Sequence, residues 1–238
     1  MIPMIRHKKG QTSAFFILAV IVIIALGFGL RALRTQDSDG GKSEQLQAQD
    51  YYNQGRSNET IDKMVARINE LKTSLEADPS DYEALNELGI IYQLLGETQL
   101  ALQTFELAAT EWPDEGLVRA NMAELYLYEF KDIQRAEELY REAIEKGPPR
   151  TDWYRALADL WISEFPEKIG EVESLMLEGT ERIEFRKREF YTYLIDFFWS
   201  QKDFDKAIEY TKKAIQESPD DDLLQDTLRQ LEELRKNS

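Results

Sequence analysis

A set of residues that recurs every 34 to 35 positions constrains this chain more than any other feature. Pro79, Pro113 and Pro148 are spaced by 34 and 35 residues, and Pro219 follows 71 residues later, which is about two further intervals. Two alanine series keep the same register: Ala101, Ala136 and Ala207, and Ala108, Ala143 and Ala214. Because the apolar residues between them recur three and four positions apart, the period predicts a solenoid of stacked helix pairs.

The first interval, residues 82–115, carries the most complete pattern. Its apolar and small residues keep fixed spacings: Leu85, Leu88, Gly89, Tyr92, Ala101, Phe105, Ala108 and Pro113. This segment resembles the tetratricopeptide repeat family. The resemblance implies that Gly89 and Ala101 lie where the two helices of the repeat approach most closely. It also implies that Pro113 starts the turn into the next repeat, since proline cannot continue a helix.

The resemblance implies an all-α fold, an α-α superhelix, over residues 59–238. Residues 59–80 are expected to form one unpaired helix before the repeats. Four repeats and a C-terminal capping helix are expected at about 82–115, 116–150, 151–187, 188–221 and 222–236. In the second repeat, one extra residue falls near Lys131, and Arg119 replaces the leucine of the first repeat.

The N-terminal residues differ sharply in composition from the repeats. Residues 1–13 form a short basic tail, and Ala14–Leu30 is a run of 17 apolar residues without a charge. A helix of this length is near the lower limit for crossing a bilayer. We interpret 14–34 as a single transmembrane helix that anchors the chain, and the polar, Gly-containing segment 35–58 as a flexible linker.

Two alternative interpretations of the apolar run remain open. Ala25-Leu26-Gly27 matches the small-residue cleavage site of a secretory signal peptide. Lys9-Gly10-Gln11 resembles the cleavage site of archaeal type-IV-pilin-like signal peptides. In that second case the chain would be a structural subunit, pilin-like or part of an envelope complex, that polymerises through its N-terminal helix.

The basic residues around the apolar run indicate its orientation. Arg6, Lys8 and Lys9 precede the run, and Arg31 and Arg34 follow it. The small excess of basic residues on the N-terminal side of the run favours an N-terminus inside the cytoplasm. We therefore expect a single-pass protein of the cell membrane whose repeats lie outside the cytoplasm.

Charge and composition exclude several classes of function. Past residue 36 the chain carries 24 basic and 45 acidic side chains, a net charge of −21, which repels nucleic acid and favours basic partners. There is no cysteine, and the single histidine, His7, lies in the N-terminal tail. A catalytic triad, a thiolate metal site and a glycine-rich phosphate loop are therefore not expected. The sequence predicts a protein without enzymatic activity, cofactor or metal.

In the tetratricopeptide repeat family, the first helix of each repeat lines a concave groove that binds ligands. Transferred by register, this implies a protein-binding groove lined by Asn86, Glu124, Tyr128, Arg155, Asp159, Asp196 and Trp199. Trp199 fits the hydrophobic core equally well. Such a groove suits a protein or peptide segment that carries Lys or Arg beside apolar anchors. By analogy with the family, the expected function is a scaffold for the assembly or organisation of an envelope complex.

Overall fold

A computed structural model describes residues 46–52 and 55–237, and within these ranges it contains ten α-helices and no β-strand. The helices are α1 (Asn58–Ala77), α2 (Tyr82–Leu95), α3 (Thr98–Glu111), α4 (Leu117–Leu125), α5 (Ile133–Lys146), α6 (Thr151–Glu164), α7 (Val172–Arg182), α8 (Lys187–Ser200), α9 (Phe204–Glu217) and α10 (Asp222–Asn237). The all-α class is therefore confirmed for this part of the chain.

The predicted basic tail (1–13) and transmembrane helix (14–34) lie outside the described residues. Across 46–52 and 55–237, none of the helices combines the length and the apolar character that crossing a bilayer requires.

The described helices divide between two compact units. The N-terminal unit ends at Trp112 and contains α1, α2 and α3, and the C-terminal unit begins at Pro113 and contains α4 to α10. Within the units, consecutive helices pack as pairs: α2 with α3, α4 with α5, α6 with α7, and α8 with α9. Each pair occupies one of the four predicted repeats.

Helix α1 covers the first repeat of the N-terminal unit. It begins after Ser57, whose hydroxyl accepts a hydrogen bond from the backbone N–H of Thr60 at 3.2 Å, as an N-cap does. Its apolar residues recur at helical spacing and are buried: Ile61, Val65, Ile68, Leu71 and Leu75. On its exposed side, Arg67 Nε lies 2.7 Å from Glu87 Oε1 on α2. The helix spans most of residues 59–80, for which one helix before the repeats was expected, and it packs on α2.

Part of the segment predicted as a flexible linker packs on this unit. Residues Ala48–Tyr51 form a 3-10 turn, and the Tyr51 side chain is only 6% exposed. Its hydroxyl donates a hydrogen bond to Glu97 Oε1 at 2.7 Å, and the Tyr52 hydroxyl donates one to Asp62 Oδ1, also at 2.7 Å. The structure differs here from the prediction because the Tyr51 ring buries apolar surface while its hydroxyl still finds an acceptor.

Gly89 provides the space in which the two helices of the first repeat meet. A Cβ atom at Gly89 would lie 2.6 Å from Cδ1 of Phe105, and Ala101 nearby on α3 is fully buried. The predicted close approach is therefore confirmed, and the neighbour of Gly89 is the Phe105 ring. Gly96, with φ +82°, closes the turn between the helices in a conformation that favours glycine.

The extra residue of the second repeat is accommodated where α4 ends. Helix α4 continues into a π-helical turn at Tyr126–Phe130, and Lys131 adopts φ 58°. The backbone N–H of Asp132 then donates to the carbonyl oxygen of Tyr126 at 2.9 Å. The wider turn absorbs the insertion before α5 begins, as π-bulges do elsewhere.

Arg119 is buried at the position where the first repeat has Leu85. Its Nη1 donates to the carbonyl oxygen of Glu115 at 2.6 Å, and its Nε donates to Glu142 Oε2 on α5 at 3.3 Å. These bonds compensate for burying a cation, which explains how the repeat keeps its fold despite this departure.

The capping helix α10 buries less of its surface than the leucine spacing indicates. Leu224 and Leu231 are buried, whereas Leu223 is 72% exposed and Leu234 is also exposed. Only one narrow stripe of the helix packs on α9.

Candidate functional site

The first helices of the repeats in the C-terminal unit, α4, α6 and α8, carry most of the predicted groove. Six of the seven predicted residues lie on these helices or on the π-turn that extends α4: Glu124, Tyr128, Arg155, Asp159, Asp196 and Trp199. Five of the six side chains are exposed, and Trp199 is half-buried. Trp199 therefore belongs in part to the core and in part to the surface.

Asn86 does not share the exposure expected of a groove residue. It lies on α2 in the N-terminal unit, is only 8% exposed and makes a polar interaction within the protein. The exposed residues on this helix include Ile90 and Leu94, which are four positions apart. On α2, the apolar side chains of Ile90 and Leu94 are therefore exposed, whereas the predicted groove residue Asn86 is not.

A cleft of about 270 Å³ lies between α6 and α8, which contact each other. It is lined by one residue of α6 and five of α8: Arg155, Arg188, Glu189, Thr192, Tyr193 and Asp196. The structure thus brings together Arg155 and Asp196, two of the predicted residues that are 41 positions apart in the chain.

Tyr193 forms one wall of this cleft and links α8 to α6. Its hydroxyl donates a hydrogen bond to Asp159 Oδ1 at 2.6 Å, and the Arg155 guanidinium lies 6.0 Å from the centre of its ring. Burial, followed by the hydrogen bond to Asp159, raises the pKa of Tyr193 well above the ordinary value. Asp159, predicted to receive a basic group from a partner, is therefore already bound by a donor of the protein.

Asp196 and Arg155 are charged but unpaired. Among residues 46–52 and 55–237, neither side chain takes part in a hydrogen bond or an ion pair, although each acts electrostatically on the other. Burial raises the pKa of the Asp196 carboxyl above its ordinary value, and the positive charge of Arg155 offsets only part of this effect. The cleft therefore contains one free donor group and one free acceptor group.

The remaining polar groups of the cleft have partners outside it. Arg188 pairs with Asp221 at the beginning of α10, and Glu189 pairs with Arg186 at 2.7 Å. The Thr192 hydroxyl donates to the carbonyl oxygen of Arg188 at 2.9 Å. These three residues shape the cleft but have less capacity to bind a ligand.

Exposed apolar side chains lie one helical turn beyond the acidic residues. Tyr128 is 62% exposed after Glu124, and Ile162 is exposed after Asp159. Trp199 follows Asp196 in the same way and is half-buried. Residues three or four positions apart share one face of an α-helix, so α6 and α8 each present a carboxylate beside an apolar side chain, and in the second repeat Tyr128 lies on the π-helical turn that follows Glu124.

Arg188 and Tyr193 were not predicted from the sequence, because neither occupies a ligand-contact position of the family. A local signal was available on α8, however. Glu189, Tyr193 and Asp196 follow each other at spacings of four and three residues, which places them on one helix face.

The described parts of the chain contain no cluster of His, Cys, Asp and Glu side chains arranged to hold a metal ion.

Comparison with known proteins identifies the repeats. Two models of the tetratricopeptide repeat match the chain, one at residues 70–103 and one at 196–221. No curated protein matches the sequence.

Several solved structures share the fold. The C-terminal part of a tetratricopeptide repeat protein from Cytophaga hutchinsonii superposes with a TM-score of 0.52 at 16% identity, over 89% of this chain and 84% of that one. PilF of Pseudomonas aeruginosa gives a TM-score of 0.51 at 16% identity, over 87% and 90% of the two chains. MamA gives 0.51 at 18% identity, over 71% and 96%.

These identities are too low to transfer a function, and they support the fold alone. Together with the two family matches, they lead to one conclusion: the part of the chain that the structure describes has an all-α fold of the tetratricopeptide-repeat type, with repeats of that family at 70–103 and 196–221.

Proposed function

We propose that this protein is a non-catalytic scaffold that binds a segment of a partner protein on the first helices of its C-terminal unit. One observation carries the proposal. The first helices α4, α6 and α8, with the π-helical turn that extends α4, each present an acidic side chain followed three or four residues later by an apolar one; the pairs are Glu124 with Tyr128, Asp159 with Ile162, and Asp196 with Trp199. A surface repeated in this way on successive helices suits an elongated ligand, as in other repeat proteins.

The chemistry of this surface favours a partner segment with Lys or Arg beside apolar side chains. The acidic residues would attract such a segment and accelerate its association. The exposed aromatic rings, above all that of Tyr128, would be removed from water on binding and would slow the dissociation of the complex. The strong negative charge of the chain beyond residue 36 makes nucleic acid a poor ligand.

We place the repeats on a membrane anchor. The proposal rests on the uncharged apolar run Ala14–Leu30 and on the basic residues before it, Arg6, Lys8 and Lys9. In this arrangement the N-terminus is inside, and the repeats lie outside the cytoplasm. There the scaffold would assist the assembly or organisation of an envelope complex.

Selection of random peptides on the full-length chain, kept in detergent because of its apolar run, tests the binding function. We expect the enriched peptides to combine basic and apolar residues. Tyr128→Ala should weaken their binding about tenfold, mainly through faster dissociation. Glu124→Gln should slow association and reduce its dependence on salt.

Glu145→Gln is the matched control, because Glu145 is exposed on the second helix α5. It removes the same charge from a different surface. If Glu145→Gln weakens binding as much as Glu124→Gln, or if Tyr128→Ala has no effect, the partner does not bind the first helices.

A further inference from the structure

The cleft between α6 and α8 contains two opposite charges that have no ion-pair partner among the described residues. Arg155 on α6 is a hydrogen-bond donor only, and ionised Asp196 on α8 is an acceptor only. Both line the same 270 Å³ cleft, and neither forms an ion pair with the other within the described residues. A ligand group that enters between them must satisfy both charges, because leaving either one desolvated and unpaired is costly.

Few chemical groups satisfy both. A carboxylate would pair with Arg155 but would be repelled by Asp196. An ammonium or guanidinium group would pair with Asp196 but would be repelled by Arg155. An apolar side chain would leave both charges without a partner. A hydroxyl donates and accepts through one atom, whereas a carboxamide has its acceptor oxygen and its two N–H donors on separate atoms and so matches two opposite charges on different helices.

The other walls of the cleft also suit a flat, neutral group. The Tyr193 ring forms one side and is held in place by its hydrogen bond to Asp159 at 2.6 Å. Arg188, Glu189 and Thr192 have partners already. Arg155 and Asp196 are therefore the groups in the cleft that remain available to a ligand.

In a bound peptide, an amide group is present both in the main chain and in the side chains of Asn and Gln. The register of the repeats favours a side-chain amide as the group that enters the cleft. A continuous main chain would need the same donor and acceptor at the preceding pair of helices. The matching positions there are Ala120, which is buried and apolar and supplies no donor, and Asp159, whose Oδ1 already accepts from the Tyr193 hydroxyl. The unsatisfied pair is thus local to one cleft, as a pocket for a single side chain would be.

We propose that this cleft binds the carboxamide of one asparagine or glutamine in the partner segment. Arg155 donates to the amide oxygen, and Asp196 accepts from the amide N–H. The inference rests on the proposed function, since it names a specificity pocket within that binding surface. The basic and apolar residues of the segment would then contribute affinity, and the carboxamide would set the register of the segment along the helices.

Peptide selection on the full-length chain in detergent tests this pocket separately from the scaffold function. We expect Asn or Gln at one constant position of the enriched peptides. In a synthetic peptide from that set, replacing this residue by Glu, Lys or Leu should each weaken binding about tenfold, equivalent to about 1.4 kcal/mol.

Variants of the protein identify the groups responsible. Asp196→Ala and Arg155→Ala should each abolish the preference for the carboxamide. The double variant Arg155→Asp with Asp196→Arg should restore it, because a carboxamide turned by half a revolution presents its oxygen and N–H in exchanged positions. The Leu-substituted peptide makes no hydrogen bond in the pocket, so an affinity for each variant that is no lower than for the wild-type chain shows that the fold and the remaining surface are intact.

The outcomes separate the two proposals. Enriched peptides with basic and apolar residues but no constant Asn or Gln would leave the scaffold function standing and overturn the pocket. A preference for Asn or Gln that survives both alanine variants would also overturn it. If no peptide is enriched, the binding surface itself is refuted, and the pocket is refuted with it.

Discussion

The indole Nε1 of Trp161 donates a hydrogen bond to Oε1 of Glu137 over 2.9 Å, which ties the first helix of the third repeat to the second helix of the preceding one. The same carboxylate accepts from Lys168 Nζ at 2.6 Å and from Arg141 Nε at 2.9 Å. Burial by itself would raise the pKa of Glu137, but these bonds, led by the one from Lys168, outweigh it and hold the pKa below its ordinary value. The junction between the two repeats thus depends on one ionised, buried side chain.

We predict that Glu137→Gln destabilises the protein at neutral pH by about 2 kcal/mol, because the hydrogen bonds from Lys168 and Arg141 lose their charged acceptor while both cations keep partial contact with water. A carboxyl whose folded pKa is lowered contributes stability above its unfolded pKa and loses it as the pH falls through its folded pKa. Because the pKa of Glu137 is lowered in the folded protein, the difference between variant and wild type should shrink as the pH falls below the ordinary range of a glutamate carboxyl. Urea unfolding at neutral and at acidic pH measures this difference. Glu138→Gln is the control, because Glu138 is the next residue in the sequence but is exposed; it should change the free energy of unfolding by less than about 1 kcal/mol at either pH.

Gly89 should not tolerate even one added methyl group. Gly89→Ala would place a Cβ atom 2.6 Å from Cδ1 of Phe105, so the ring must move within a packed interior. We expect a loss of about 1–3 kcal/mol in thermal or urea unfolding. Adding Phe105→Leu should recover part of the loss by making room. Gly170→Ala is the control, since its new Cβ would meet nothing within 4 Å. Equal effects at Gly89 and Gly170 would contradict this packing.

Tyr51 should stabilise the N-terminal unit although it precedes the repeats. Tyr51→Phe removes the hydrogen bond to Glu97 and should cost about 1 kcal/mol. Tyr51→Ala also removes the buried ring and should cost about 3 kcal/mol. Tyr52→Phe loses a hydrogen bond to Asp62 that lies at the exposed surface, and its effect should be smaller. Circular dichroism during thermal unfolding compares the three variants. An unchanged unfolding temperature for Tyr51→Ala would mean that the turn Ala48–Tyr51 does not stabilise the fold.

The apolar run should retain the chain in membranes. Deletion of residues 14–34 should move the protein from the membrane fraction to the soluble fraction, because this segment contains the uncharged run Ala14–Leu30, which is long enough to span a bilayer. A fusion after Ser238 to an enzyme that is active only outside the cytoplasm should be active in the full-length chain. Activity of a cytoplasmic reporter at the same site would reverse the proposed orientation. A mature N-terminus at Gln11 would instead favour a pilin-like subunit.

The sequence by itself determined the helical class and the repeat, because these depend on local spacing. The interval from Pro79 to Pro113 and the small residue Gly89 specify where helices turn and touch, and the extra residue near Lys131 is visible as a one-residue increase of the period. The family positions also identified Arg155 and Asp196 as surface residues of successive first helices. Each of these inferences uses neighbours that lie within about one repeat of each other.

Only the tertiary structure decided which side chains pair and which stay free. It shows that Asn86 is buried, that the Tyr193 hydroxyl donates a hydrogen bond to Asp159, and that the Tyr51 hydroxyl donates one to Glu97. The physical reason is that such pairings depend on how side chains from different helices are oriented when the helices pack. The register of the helices constrains their Cα positions but not the hydrogen bonds of their side chains. That Arg155 and Asp196 line one cleft without an ion pair between them is therefore visible only in the folded chain.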